Sequence, residues 1–418
     1  MKKAVTKWIG MAGILVLIPL IGAFSARAAI MGVTGTRFNL VAREGFVSTP
    51  DGGSIYAWGY ALENGLMQYP GPTLILNQGD TVTVTLKNEL PQPAGNVSIV
   101  FPGHSVTAAG GAAGAMTREA PPDGVTAATY TFTAADAGTY TYYSGTRTGL
   151  QVEMGLVGAI IVRPAGFDQM NPRAYGHDGT RYHYEHLFLL TEMDPRIHQA
   201  VASGIYTVDM ADFFPVYWFI NGRAAPDTML PDQVPWLPNQ PYGAMAMTRP
   251  GEMVLLRVVG GGRDLHPFHH HGSNSLIIAR DGRLLESAPG AGPDLAVSDF
   301  TIPSVPGATV DALYMWTGEK LGWDIYGDRV HDCVDGNGDS YDDTTYEYCP
   351  DHGKPFPVIL PEQQEVTFGA QFSGSPYLGA LEALPPGEGG MNPNGGYFFM
   401  WHSHNEKEMT NNDIFPGG

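Results

Sequence analysis

Two clusters of imidazole could do metal chemistry in this chain. His266-Pro-Phe-His269-His270-His271-Gly272 follows an alternating run, Gly251-Glu-Met-Val-Leu-Leu-Arg-Val-Val259. That run is a predicted strand delivering the histidines to a sheet end. If His266 begins a turn, His269 and His271 share the next strand's face and His270 takes the other, because side chains repeat every two residues. The second cluster is His402-Ser403-His404, which follows the aromatic run Gly396-Tyr-Phe-Phe-Met-Trp401. Imidazole pairs of this kind suit copper or zinc. The alternative is a set of hydrogen-bonded histidines with no metal. Four neutral rings facing one cavity would then need many partners, whereas one ion satisfies them together.

The elements that must position these residues are strands. The chain has 54 Gly and 33 Pro in 418 residues, a turn-rich composition for short strands, and no long amphipathic helix stands out. Predicted strands fill residues 33–165. Among them are Thr36–Ala42, Ser54–Tyr60, Thr81–Leu86, Asn96–Phe101, Gly138–Tyr143 and Gly155–Val162, with Ala108–Gly114 read as a small-residue loop. A polar linker is expected over 166–184. A second strand set covers 185–418, including His186–Thr191, Tyr217–Gly222, Val310–Trp316 and Glu365–Phe368. The predicted fold is all-β, two β-sandwich domains.

Within the second domain, residues 322–356 read as an insertion. It holds the chain's two cysteines, Cys333 and Cys349, and a disulfide is expected between them in an oxidising compartment. Asp335, Asn337 and Asp339 alternate between them, so their oxygens could gather around calcium. A solvated acidic loop is the alternative, since the full helix-loop-helix calcium pattern is missing.

Residues 1–28 read as an export signal: Lys2, Lys3 and Lys7, an apolar run from Trp8 to Ala23, and a small-residue cleavage site at Ala26-Arg-Ala28. An uncleaved anchor is the other reading, although Pro19 breaks the apolar run. The expected location is periplasmic or extracellular, with no stable membrane span after cleavage. Cleavage removes four positive charges and takes the formal charge from -19 to -23. Nucleic acid and anionic lipid are poor partners for such a surface.

Tyr69-Pro-Gly-Pro-Thr73, Gly79-Asp80, Gly138-Thr-Tyr140, Gly155-Leu-Val-Gly158 and Trp218-Phe-Ile-Asn-Gly222 flank the strands and, with the histidine clusters, resemble the multicopper oxidases. The resemblance is to the two-domain, laccase-like kind, built from cupredoxin Greek-key β-sandwiches. It implies copper and a homotrimer whose three-copper cluster is shared between subunits. It also gives His269 the place of a type 2 ligand. His271 and His402 take the places of ligands to one type 3 copper, and His404 that of a ligand to the other.

The resemblance breaks elsewhere. The family's first His-x-His falls on Val100-Phe101-Pro102, with His104 just beyond, and its second falls on Tyr143-Ser144-Gly145. At the mononuclear electron-entry site His266 is present, but the copper-binding cysteine aligns with Ser403 and the second histidine with Glu408. A type 1 site needs the soft thiolate. The family's closing strand is also missing, so a strand-completing or redox partner is expected.

Two functions follow as expectations: a secreted copper-binding protein with residual copper-dependent oxidoreductase activity, or a non-catalytic copper-sequestering or structural protein. Zinc hydrolysis with Glu408 as base is a third reading, with nothing else to support it. His177, His183, His186, His198, His331 and His352 have no partner spacing and are expected in surface or structural roles.

Overall fold

The computed structural model describes residues 30–319, 321–326, 330–355 and 399–417. The export signal and the Glu365–Phe368 strand fall outside them.

Alternation decides the first sandwich. In Thr81–Asn88 the side chains go out and in strictly by turns, with Val82, Val84 and Leu86 buried, as a strand with one wet face requires. It lies at the middle of a five-stranded sheet ordered Ser54–Leu62, Arg37–Ser48, Thr81–Asn88, Ala128–Thr133, Val106–Gly110. The facing four-stranded sheet is ordered Val33–Thr34, Leu74–Asn77, Val157–Arg163, Gly138–Tyr143. Phe38, Trp58, Tyr60, Leu74, Tyr130, Tyr142 and Ile160 fill the space between.

Two local expectations change. Val106–Gly110 is a strand paired with Ala128–Thr133, and Ala112–Ala113 pairs with Arg118–Glu119, so most of the predicted small-residue loop is edge ladder. Alanine and glycine carry little strand propensity, and here the ladder bonds hold the segment. Conversely, Asn96–Phe101 makes only isolated bridges, Val97 to Ala120 and Val100 to Tyr143. Tyrosine hydroxyls satisfy part of its buried backbone: the Tyr60 hydroxyl donates to Ser98 O at 2.7 Å, and Ile99 N donates to the Tyr130 hydroxyl at 3.2 Å. Side chains thus do the work of a neighbouring strand.

The second sandwich packs a seven-stranded sheet against a three-stranded one. The large sheet runs Tyr217–Ile220, Tyr184–Met193, Met253–Gly260, Thr309–Met315, Ser275–Arg280, Arg283–Leu284, with Val297–Asp299 also on Ser275–Arg280. The small sheet is Thr301–Ser304, His266–His270, Trp401–Ser403. Phe188, Leu256, Val258, Phe268, Ile302, Ala312 and Tyr314 form the core.

Met253–Gly260 is buried on both faces after its first residue. One face meets its own core. The other meets the first domain, where Leu255 packs with Ala137 and Tyr175, and Val259 with Ala159 and Ile161. Arg257 is the one charge on this strand, and it is fully buried. Its Nε donates to Glu185 Oε2 at 3.1 Å and its Nη1 to Thr139 Oγ1 at 2.9 Å, with Asp311 Oδ1 3.6 Å away. Arg163 forms a bidentate pair with the same Glu185. Burial opposes the Glu185 charge, but Arg257 and Arg163 outweigh it and hold the carboxyl below the usual range. The domains are therefore joined by a dry ionic knot as well as by apolar contact. The expected linker is part of it: Tyr175 and Tyr182 are buried, and the Tyr175 hydroxyl donates to Asp311 Oδ2 at 2.6 Å.

Cys333 and Cys349 form the expected disulfide. Among the described residues no helix is long and apolar enough to cross a membrane.

Candidate metal centre

His266 lies inside the strand rather than in a turn before it. His266–His270 is one element in which His266, Phe268 and His270 are buried, while Pro267 and His269 are half-exposed. The antiparallel register places His269 opposite His402 on one side and opposite Thr301 on the other. Directly opposed residues have Cβ atoms about 5 Å apart, so one ladder rung carries two imidazoles. His271 follows the strand's end, and His404 is held by its backbone N–H donating to Pro267 O at 2.9 Å.

The result is a half-exposed cluster. His269, His271 and His402 each offer a ring nitrogen, and the three lie within 4.8 Å of one another. His271 Nε2 and His402 Nε2 are 3.2 Å apart. Two nitrogens bound at about 2.0–2.1 Å in a tetrahedral array lie roughly 3.3–3.4 Å apart, so the pair already stands near the spacing an ion would impose. The His404 ring centre is 4.9 Å from that of His269. Burial, followed by the neighbouring rings, pushes the His269 pKa down to about 4, and burial likewise lowers that of His402. Neutral imidazole is the form that binds metal.

The His269 Nδ1 is 3.0 Å from Thr301 Oγ1. A ring that gives Nε2 to a metal keeps a proton on Nδ1, and this hydroxyl can accept it. Thr301→Ala is therefore expected to weaken metal binding at this cluster by roughly 10–100-fold without changing the ion count at saturation. Competitive titration against a copper chelator checks this, and an unchanged affinity would remove Thr301 from the centre.

His270 faces inward between Tyr314 and Trp401, with both ring nitrogens buried and lacking a hydrogen-bond partner, and burial pushes its pKa to about 4. It is a packed core ring. His104 stacks between Phe132 and Tyr140 at 4.7 and 4.4 Å, and its Nε2 is buried without a partner. The replaced positions Val100 and Tyr143 meet each other through their backbones, 2.8 and 3.3 Å apart across an isolated bridge. Phe101 is buried in the core, and the Ser144 hydroxyl donates to Gln151 Oε1 at 2.6 Å. Val100, Pro102, Tyr143 and Gly145, the four positions where the resemblance puts histidines, carry no imidazole.

His266 has a different environment. Its Nε2 is 2.8 Å from Glu192 Oε2 and its Nδ1 is 3.0 Å from Glu408 Oε2, with all three side chains buried. Burial alone would lower the His266 pKa, but the two carboxylates raise it to about 10. The ring is an imidazolium bridging two carboxylates, and neither nitrogen is left to a metal. Glu192 in turn accepts from Arg263 N and Asp264 N, and Glu408 from Asn405 Nδ2. His266, which the resemblance places at the electron-entry site as a candidate ligand, is thus engaged by Glu192 and Glu408 instead.

The folded pKa of His266 lies above its unfolded value of 6.5. The triad's stabilisation is thus complete below pH 6.5 and is lost as pH rises through about 10. Glu408→Gln is expected to lower this pKa by removing one carboxylate. Proton NMR of the His266 ring checks it, and an unmoved titration would contradict the bridge.

In the acidic loop, Asp335 accepts from Gly338 N, Asp339 N and Ser340 N at 2.7–3.0 Å, Asn337 Oδ1 from Asp339 N at 2.9 Å, and Asp339 Oδ1 from Tyr341 N at 2.9 Å. The oxygens read as calcium ligands thus meet the loop's own amides.

The two stacked sandwiches, with imidazoles on the small sheet of the second, define a cupredoxin-like fold of the multicopper oxidase kind. Residues 57–166 match the family model described as multicopper oxidase. Among solved structures, the multicopper oxidase mgLAC superposes with a TM-score of 0.54 at 16% identity, covering 91% of this chain and 83% of that one. The blue copper oxidase from Nitrosomonas europaea superposes with a TM-score of 0.52 at 18% identity, with the same 91% and 83% coverage. Among curated proteins none matches the sequence.

Proposed function

We propose that this chain is an exported copper-binding protein of the multicopper oxidase fold, holding copper on His269, His271 and His402, with His404 beside them. The observation that carries this reading is the close approach of three half-exposed imidazoles, two of their nitrogens 3.2 Å apart. A donor set of imidazoles alone suits Cu(II) ahead of Zn(II) by affinity order. When bound, copper would supply one-electron redox chemistry. The chain's own residues fix the rings: the ladder places His269 between Thr301 and His402, and Thr301 sets its tautomer. Export follows from the leader-like residues 1–28 and is tested by sequencing the mature N-terminus.

Glu408 and Ser403 stand where the resemblance puts the ligands of the electron-entry copper, and Glu408 binds His266 instead. Four-electron reduction of dioxygen through such a site is not part of this reading, which favours copper sequestration. Redox activity at the remaining centre is the second reading, favoured by the half-exposure of its rings. Oxygen uptake by the copper-loaded protein with a one-electron donor separates the two. The trimer belongs to the same proposal and is read by light scattering.

A further inference from the structure

A second group of ligating side chains lies in the 322–356 insertion, well separated in sequence from the copper candidates. Asp324, His331, Glu347 and His352 each present one donor atom, and the four lie within 4.8 Å of one another. Glu347 and Asp324 are buried, 1% and 5% exposed. His331 Nε2 is 2.7 Å from Glu347 Oε2, and His352 Nδ1 is 3.1 Å from each Glu347 oxygen and 3.6 Å from Asp324 Oδ2. The two rings stand 4.7 Å apart and nearly perpendicular.

Two buried carboxylates converge here with two imidazoles on one point, and carboxylate charge in such a site is costly unless a cation faces it. One divalent ion meets that demand. We propose that these four residues form a structural metal site for a zinc-type first-row ion. The donor set is two nitrogens and two oxygens, borderline in softness, which suits zinc over calcium's all-oxygen shell. Four protein donors leave no open position, the mark of a structural site. Tetrahedral ligands at about 2.0–2.2 Å stand roughly 3.3–3.6 Å apart, and the contacts here bracket that spacing.

Outer partners are in place as well. Asp324 Oδ1 accepts from Tyr326 N at 2.8 Å and its Oδ2 from Gly353 N at 3.2 Å. The disulfide joins Cys333 to Cys349, two residues from His331 and two from Glu347, so one covalent link already draws two of the four ligands together. The ion would close the insertion that the disulfide only begins to restrain.

The site is independent of the copper reading, and its test is set in a background without that centre. The full chain carrying His269→Ala and His271→Ala is stripped with chelator and titrated with Co²⁺ and, separately, Zn²⁺. We expect one ion per chain, intense visible Co²⁺ bands of a tetrahedral ion, displacement by Zn²⁺, and a higher melting temperature with Zn²⁺ than with Ca²⁺. Adding His331→Ala and His352→Ala should abolish the bands. Because that variant can fail to fold, Glu347→Gln is measured too, with free-thiol titration confirming its disulfide, and its Zn²⁺ affinity should fall at least tenfold. Absence of Co²⁺ bands in the parent, bands that survive the histidine substitutions, or equal affinity in Glu347→Gln would each overturn the proposal.

Discussion

Arg257→Ala is expected to destabilise the protein by about 3–5 kcal/mol, the cost of leaving buried carboxylates without their partner. Arg257 is fully buried on a strand apolar on both faces, and it serves Glu185, Asp311 and Thr139 at once. Removing it strands Asp311 in a dry junction with the Thr139 and Tyr175 hydroxyls, and leaves Arg163 as the guanidinium facing Glu185. Arg257→Met keeps much of the side chain's bulk and should cost nearly as much, which separates charge from packing. Urea denaturation of the three proteins measures this. A loss below about 1 kcal/mol, the range of an exposed pair, would mean that the knot does not hold the domains together.

The second large effect is on copper. His269→Ala with His271→Ala removes two of the three converging nitrogens and leaves His402 with His404. Copper affinity should fall by more than the roughly 10–100-fold that an outer partner of a ligand contributes. Stability without metal should change little, because both rings are half-exposed and end in the cluster rather than in the core. Equilibrium dialysis against copper, with thermal melts of the metal-free proteins, checks both halves. Copper retained at full stoichiometry would move the centre elsewhere.

The copper candidates were legible because their signal is local. His269 and His271 are two residues apart, as are His402 and His404, and a period of two sends each pair to one side of a strand. The strands Thr81–Asn88 and Met253–Gly260 were legible for the same reason, through alternation in one and an apolar run in the other.

What escaped the sequence is tertiary. His266 meets Glu192 from 74 residues before it and Glu408 from 142 residues after it, and no spacing rule joins them. His331 and His352 are separated by the whole acidic loop and become neighbours only when the insertion folds back on Asp324 and Glu347. The Asn96–Phe101 segment alternated like a strand, but tyrosine hydroxyls took up part of its backbone bonding. Side chains reaching across a sandwich leave no periodic trace.

Metal content and electron paramagnetic resonance on one copper-loaded sample of the full chain test the central claim most directly. With the insertion's ligands removed by His331→Ala and His352→Ala, the account predicts one copper per chain after desalting, with nitrogen hyperfine structure and without the intense blue absorption of a thiolate ligand. A chain that retains no copper, or one that turns blue, would contradict it.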